Sequence, residues 1–250
     1  MSAKVITGQY KERRNFVKRF FRPKKPSPFL FSNEKTFGIS IDTGFCQMKC
    51  PKCYSKVLFA CRPQIKESVQ RAHVTRVTPH QCKIFEQSLC QIKTEGHIHY
   101  LRFFSFGDFH TKAIPLVEIA SDIGFRCSLI SKCLHFPRYR QYIGDLAKLP
   151  NVFVSFSFNN LFGEDYILGF LKQTKWSNRF QNHWTFVDTP ASKKQIEFYR
   201  HFHKTNTLPF HVYHTTAKNK TKLSEVVGKS KTCCLSGVCD DCRVCYRRSE

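Results

Sequence analysis

From Phe37 onward the chain alternates short runs of strand-forming residues with stretches whose apolar positions recur at helical spacing. The strand candidates are residues 37–42, 99–106, 125–131, 152–158, 184–188 and 209–215. Most are bounded by residues that favour loops. Helix candidates lie between them: 81–93, entered through Thr78 and Pro79; 115–123, stopped by Gly124; and 138–148, stopped before Pro150. Residues 164–172 and 193–203 continue the series, the latter with Ser192 as N-cap. Strict β/α alternation selects a parallel sheet, because parallel neighbours need a long connection and a helix is the usual one. Six such units fall short of a complete eightfold barrel. The expected fold class is α/β, as a partial (β/α)6 barrel of parallel strands, with an open doubly wound sheet as the alternative.

Both ends depart from this rhythm. Residues 1–28 are basic, with Lys11, Arg13, Arg14, Lys18, Arg19, Arg22, Lys24 and Lys25 running into Pro23, Pro26 and Pro28. An arm that docks on phosphate and a solvated lead-in draped over the domain fit this segment equally well. Its Arg-rich composition resembles an organellar transit peptide, but Glu12 and the prolines are expected to interrupt an amphipathic helix. After Thr216 the chain turns to Lys among Thr, Ser and Gly, and then five cysteines fall within residues 233–245. The expected organisation is a basic arm (1–28), the α/β domain (29–216), and a linker with a small Cys-rich metal-binding appendage (217–250).

Composition narrows the function classes. A net charge of +23 with 41% hydrophobic residues describes a basic but globular chain. At 250 residues a folded chain buries roughly three quarters of the surface its unfolded form exposes, so disulfides are not needed to stabilise it. Thirteen cysteines, an odd count without an N-terminal apolar signal run, point instead to thiols that bind metal or stay buried in a reducing, cytoplasmic setting. No apolar stretch approaches the roughly 20 residues of a membrane-spanning helix, which excludes a transmembrane enzyme.

Immediately after the first strand candidate comes Gly44-Phe45-Cys46-Gln47-Met48-Lys49-Cys50-Pro51-Lys52-Cys53-Tyr54. Three thiolates at C-x3-C-x2-C in one loop wrap three corners of a cubane iron–sulfur cluster and leave the fourth iron without a protein ligand. An open coordination position is what distinguishes a catalytic metal centre from a structural one. The loop also starts where parallel α/β folds gather ligands, at the carboxyl end of a strand. Zinc completed by a remote His or Cys is the competing reading, although zinc motifs usually present paired ligands from two knuckles.

With this motif ending the first β/α unit, the chain resembles the radical S-adenosylmethionine superfamily over about residues 37–215. The resemblance implies a 4Fe–4S cluster on Cys46, Cys50 and Cys53, with S-adenosylmethionine on the free iron through its amino and carboxylate groups. It also implies reductive cleavage to methionine and a 5′-deoxyadenosyl radical, with electrons from an external reductant such as flavodoxin or ferredoxin. The family's usual aromatic before the third cysteine is replaced by Lys52, and Tyr54 follows it. In the superfamily a Gly-Gly-Glu-like turn after the second strand holds the methionine amino group. Phe106-Gly107-Asp108 looks like a reduced version, with a carboxylate one carbon shorter. An ordinary strand-ending turn is the plainer reading of Gly107 and Asp108.

Later strand ends supply Ser131, Lys132, Ser157, Asn159, Asp188, Thr189 and His214. On the barrel reading these line one mouth, with Ser157 and Asn159 suited to the cofactor's ribose or carboxylate and Lys132 to an anionic group. Ser-Phe-Gly-Asp-Phe followed by Ile-Ser-Lys is also similar to the compact gene-product-88-type proteins of phages and mobile elements, over about residues 46–158.

In the tail, Cys239, Cys242 and Cys245 form C-x2-C-x2-C, and Cys233 or Cys234 can supply a fourth ligand. Four thiolates close a site, as a second 4Fe–4S cluster or as zinc. Core packing is expected for Cys61, Cys82, Cys90, Cys127 and Cys133. The eleven His form no paired-ligand motif. The positive field attracts polyanions, so RNA or DNA is a candidate substrate or partner. Lys175, Trp176, Arg179, Phe180 and Trp184 supply charge beside aromatic rings. Three function classes follow: a radical S-adenosylmethionine enzyme, a zinc-stapled nucleic-acid-binding protein, and an iron–sulfur electron carrier or redox sensor.

Overall fold

Alternating side chains in four successive strands build the centre of the molecule. The structure, a computed structural model, describes residues 3–21, 27–33, 38–46, 59–60, 63–104, 107–133, 136–158, 180–186 and 210–214. Seven strands form one sheet in chain order: β1 (Leu30–Asn33), β2 (Gly38–Ile41), β3 (Tyr100–Phe103), β4 (Arg126–Ser131), β5 (Val152–Phe158), β6 (Phe180–Phe186) and β7 (Phe210–His214). β1 is antiparallel to β2, and every later pair is parallel. Register aligns Ile39, Leu101, Cys127 and Val152 in one row and Ile41, Phe103, Leu129 and Val154 in the next, all of them buried. The intervening row is polar at its start, reading Ser40, Arg102, Ser128 and Phe153. Strand order rises without the reversal of a doubly wound sheet. Among the described residues β7 pairs with β6 alone and β1 with β2 alone, so the sheet is open.

The helices bounded within the described residues are α1 (Ala3–Phe20), α2 (Pro63–Val74), α3 (Pro79–Gly96), α4 (Ile114–Asp122) and α5 (Pro137–Lys148). Helix α3 starts as its sequence demands, with the Thr78 hydroxyl accepting from Gln81 N at 3.3 Å and Pro79 in the first turn. Phe85, Leu89, Ile92 and Gly96 form its buried stripe. Helix α4 yields to Gly124 at φ 86°, and Lys93 Nζ donates to the part-buried carbonyl of Ile123 at that end. Helix α1 packs on α3, α3 on α4, and α4 on α5, so these neighbours share one side of the sheet.

Several elements differ from the sequence expectation. Part of the basic N-terminal segment is helix α1, which runs through Glu12 and places Phe16 and Val17 in the common core. Basic residues on its other positions obscure that short apolar stripe. Helix α2 and strand β1 carry too few apolar positions to stand out alone. Strand β3 ends at Phe103, earlier than expected, because Phe104 adopts φ 65° and turns the backbone out of the ladder. Strand β6 begins at Phe180, ahead of the expected Trp184, since pairing with β5 recruits the polar run Gln181-Asn182-His183. The expected helices at 164–172 and 193–203 and the Cys-rich segment 217–250 lie outside the described residues.

Gly96 shows how closely α1 sits on α3. A Cβ there would lie 2.5 Å from Cε1 of the Phe16 ring, which is itself buried. Gly96→Ala gains about 1 kcal/mol of helix propensity but overpacks at a typical cost of about 1–3 kcal/mol. Because the ring is confined, we expect a net loss of roughly 1 kcal/mol, read from urea unfolding. In a Phe16→Leu background the loss should shrink; an equal loss in both would show that the ring is not the obstacle.

Candidate functional site

The carboxyl ends of β2, β3 and β4 meet through two buried carboxylates. The first is Asp42, directly after β2 and fully buried. Its Oδ1 accepts from Gly44 N at 2.8 Å, a local turn that Asp and Gly two residues apart readily form. Its Oδ2 accepts from Gly107 N at 3.0 Å, across 65 residues of sequence. Gly44 has φ 67°, and a Cβ there would stand 2.2 Å from the Val69 carbonyl oxygen of α2. The turn is therefore pressed against that helix in a conformation that glycine adopts without strain. Cys46 leaves the turn exposed. Beneath it, Thr43 Oγ1 is buried without a hydrogen-bond partner among the described residues.

The loop after β3 is tied to the same turn. Asp108 N donates to the Phe45 carbonyl at 2.7 Å. A Cβ on Gly107 would lie 2.3 Å from that carbonyl oxygen, so the absence of a side chain is what permits this approach. Asp108 is the second carboxylate, 3% exposed. Its Oδ1 accepts from Phe109 N at 2.8 Å and from Ser131 Oγ at 2.5 Å, and Lys132 N reaches both oxygens at 3.1–3.2 Å. Ser131 Oγ in turn accepts from Cys133 N at 2.9 Å. Asp108 thus clamps the end of β3 to the end of β4.

A basic and aromatic group borders the turn. The Phe45 ring lies 4.3 Å from that of His110 and 6.0 Å from that of His73. His110 Nδ1 accepts from Lys112 N, capping the single 3-10 turn Thr111–Ala113 that leads into α4. Lys112 Nζ donates to the Ala72 and His73 carbonyls at the end of α2, where a cation is favourable. Burial, then the positive charges of Lys112, His73 and Arg138, hold the His110 imidazole below its ordinary range. Burial lowers the Lys112 ammonium as well, opposed by the charge of Asp42.

Four of the residues singled out from sequence therefore meet: Gly107, Asp108, Ser131 and the backbone of Lys132. The oxygens that the resemblance assigned to an ammonium are engaged here with groups of the protein itself. Ser157 falls in β5, in register with His183 of β6, which is in register with His211 of β7. His214 ends β7 opposite Phe186. Cys50, Cys53, Asn159, Asp188, Thr189, Cys233, Cys234, Cys239, Cys242 and Cys245 lie outside the described residues. Among the described residues no group of three or more His, Cys, Asp or Glu is arranged to hold a metal ion.

Of the scattered cysteines, Cys127 and Cys133 are buried, and burial pushes the Cys127 thiol far up; Cys82 is half-buried. Cys90, expected in the core, is exposed because it falls on the outward side of α3. Sequence reading missed Asp42, His73 and His110. Only Asp42 carries a local signal, an acid at a strand end with glycine two positions on. No described helix is long and apolar enough to cross a membrane. Comparison of the chain with family models, with curated proteins and with solved structures returns no match.

Proposed function

We propose that this protein is a radical S-adenosylmethionine enzyme, built as a partial (β/α)6 barrel, in which Cys46, Cys50 and Cys53 hold a 4Fe–4S cluster. One observation carries the reading. Cys46 emerges exposed from the first parallel strand, on a turn whose preceding residues are locked to the neighbouring strand end by Asp42 and Gly107. A thiolate donor set with one free corner needs such a fixed exit at the ligand-gathering rim of a parallel sheet. The rising strand order and the shared helix side agree with a barrel segment. The exposed thiol and the rigid turn below it suit the cluster.

When bound on Cys46, Cys50 and Cys53, the cluster would supply one-electron reduction for cleaving the sulfonium of S-adenosylmethionine. The chain's own residues hold and orient. Asp42 and Gly107 position the cluster loop, and Asp108 with Ser131 fixes the rim beside it. Lys132, Ser157 and Asn159 offer polar groups to the cofactor's anionic and ribose portions. Cys239, Cys242 and Cys245, with Cys233 or Cys234, form a closed second site for 4Fe–4S or zinc. We place the enzyme in a reducing cytoplasm, fed by a flavodoxin or ferredoxin. A nucleic acid, drawn by a charge of +23, is the substrate class.

Anaerobic reconstitution with iron and sulfide, followed by reduction with S-adenosylmethionine, should yield 5′-deoxyadenosine. Cys50→Ala should abolish it, since a cubane held by two thiolates is not retained. Undiminished product from that variant, or zinc without iron after anaerobic purification, would overturn the assignment. Zinc alone would favour a stapled nucleic-acid-binding protein instead.

A further inference from the structure

The aromatic group beside Cys46 combines features that neither the cluster loop nor the sheet requires. Phe45 is only half-buried, and its ring has two imidazoles as neighbours, that of His110 tilted at 4.3 Å and that of His73 nearly parallel, at 18° and 6.0 Å. His73 and Arg138 are exposed, and the Arg138 guanidinium is held 4.8 Å from the Tyr139 ring centroid. Lys112 and Arg138 both bear on His110, and the Lys112 ammonium, which donates to the Ala72 and His73 carbonyls, also feels the charge of Asp42. The rim's two acids, Asp42 and Asp108, are buried and bound to backbone amides. What this rim presents outward is the Arg138 guanidinium and the His73 imidazole beside the half-buried Phe45 ring.

We infer that Phe45, His73 and His110, flanked by Lys112 and Arg138, dock a single-stranded nucleic-acid segment, with a base stacked on the rings and phosphates drawn to the cations. Aromatic platforms beside basic side chains bind unpaired bases in this way, because every base has a face to stack and each nucleotide brings a charge. An acidic peptide or a polyphosphate would use the charge and leave the rings idle. The inference rests on the proposed function only for its consequence, that the bound nucleotide lies near the cluster; binding itself needs no cluster.

The test is fluorescence anisotropy of a labelled single-stranded RNA, and of the matching DNA, on the anaerobically purified full chain over a salt series. Phe45→Leu should weaken binding by roughly five- to a hundredfold, the loss of one stacking platform. Phe45→Tyr should preserve it. Arg138→Gln, at an exposed position, should weaken binding and reduce the salt slope by about one. Unchanged binding in both Phe45→Leu and Arg138→Gln would overturn the inference. Inorganic polyphosphate competing equally well before and after Phe45→Leu, with RNA indifferent to the change, would also overturn it and leave a charge-only surface. The two readings separate cleanly. A chain that binds RNA through Phe45 but makes no 5′-deoxyadenosine refutes the enzyme alone, and one that makes it while ignoring both nucleic acids refutes this docking site alone.

Discussion

Asp108→Ala is expected to destabilise the fold by about 3–5 kcal/mol, among the largest effects of any polar substitution in the described chain. The carboxylate is 3% exposed and takes hydrogen bonds from Phe109 N, Ser131 Oγ and Lys132 N. Truncation leaves all three donors in a site that water reaches poorly, and each orphaned buried donor costs about 1–3 kcal/mol. Ser131 can turn its hydroxyl elsewhere, but the two amides are fixed by backbone. Asp108→Asn keeps the volume and one acceptor while aiming an NH2 at other donors, so its loss should be intermediate, roughly 1–3 kcal/mol. Ser131→Ala, which removes a single donor, should cost about 1 kcal/mol. Urea denaturation reads all three. A loss below about 0.5 kcal/mol for Asp108→Ala, the ordinary scatter of surface changes, would mean that the clamp does not hold β3 to β4.

Gly107→Ala is expected to cost at least about 3 kcal/mol, at the upper end of overpacking penalties, and, if the proposed cluster is held on Cys46, to lower the iron retained after reconstitution. The new Cβ would meet the Phe45 carbonyl oxygen at 2.3 Å and Asp42 Oδ1 at 2.8 Å. Neither neighbour can retreat easily. The carbonyl carries the hydrogen bond from Asp108 N, and the carboxylate is pinned between Gly44 N and Gly107 N. Relief therefore requires the turn bearing Cys46 to separate from the end of β3. Thermal unfolding measures the first effect and iron content the second. An alanine variant that keeps wild-type stability and iron would show that the two loops move independently.

Much of the framework could be read along the chain because its signals are local. Thr78 and Pro79 mark the start of α3, and Gly124 follows the end of α4. Strands β4, β5 and β7 each carry their own β-forming run. Where a local run was polar, reading failed: Gln181-Asn182-His183 belongs to β6 only because β5 pairs with it. Phe16 is an unremarkable aromatic in a basic segment until Gly96 makes room for it.

The sequence by itself determined the alternation of strands and helices, the thiol triplet after the first parallel strand, and the excess of positive charge. These follow from periodicity, spacing and composition, each contained within a few neighbouring residues. Only the tertiary structure decided that Asp42 reaches Gly107 across 65 positions, that Asp108 binds Ser131 across 23, and that Phe45 neighbours both His73 and His110. A hydrogen bond of about 3 Å is set by where strand ends arrive in space, and strand pairing brings together residues that no local pattern connects.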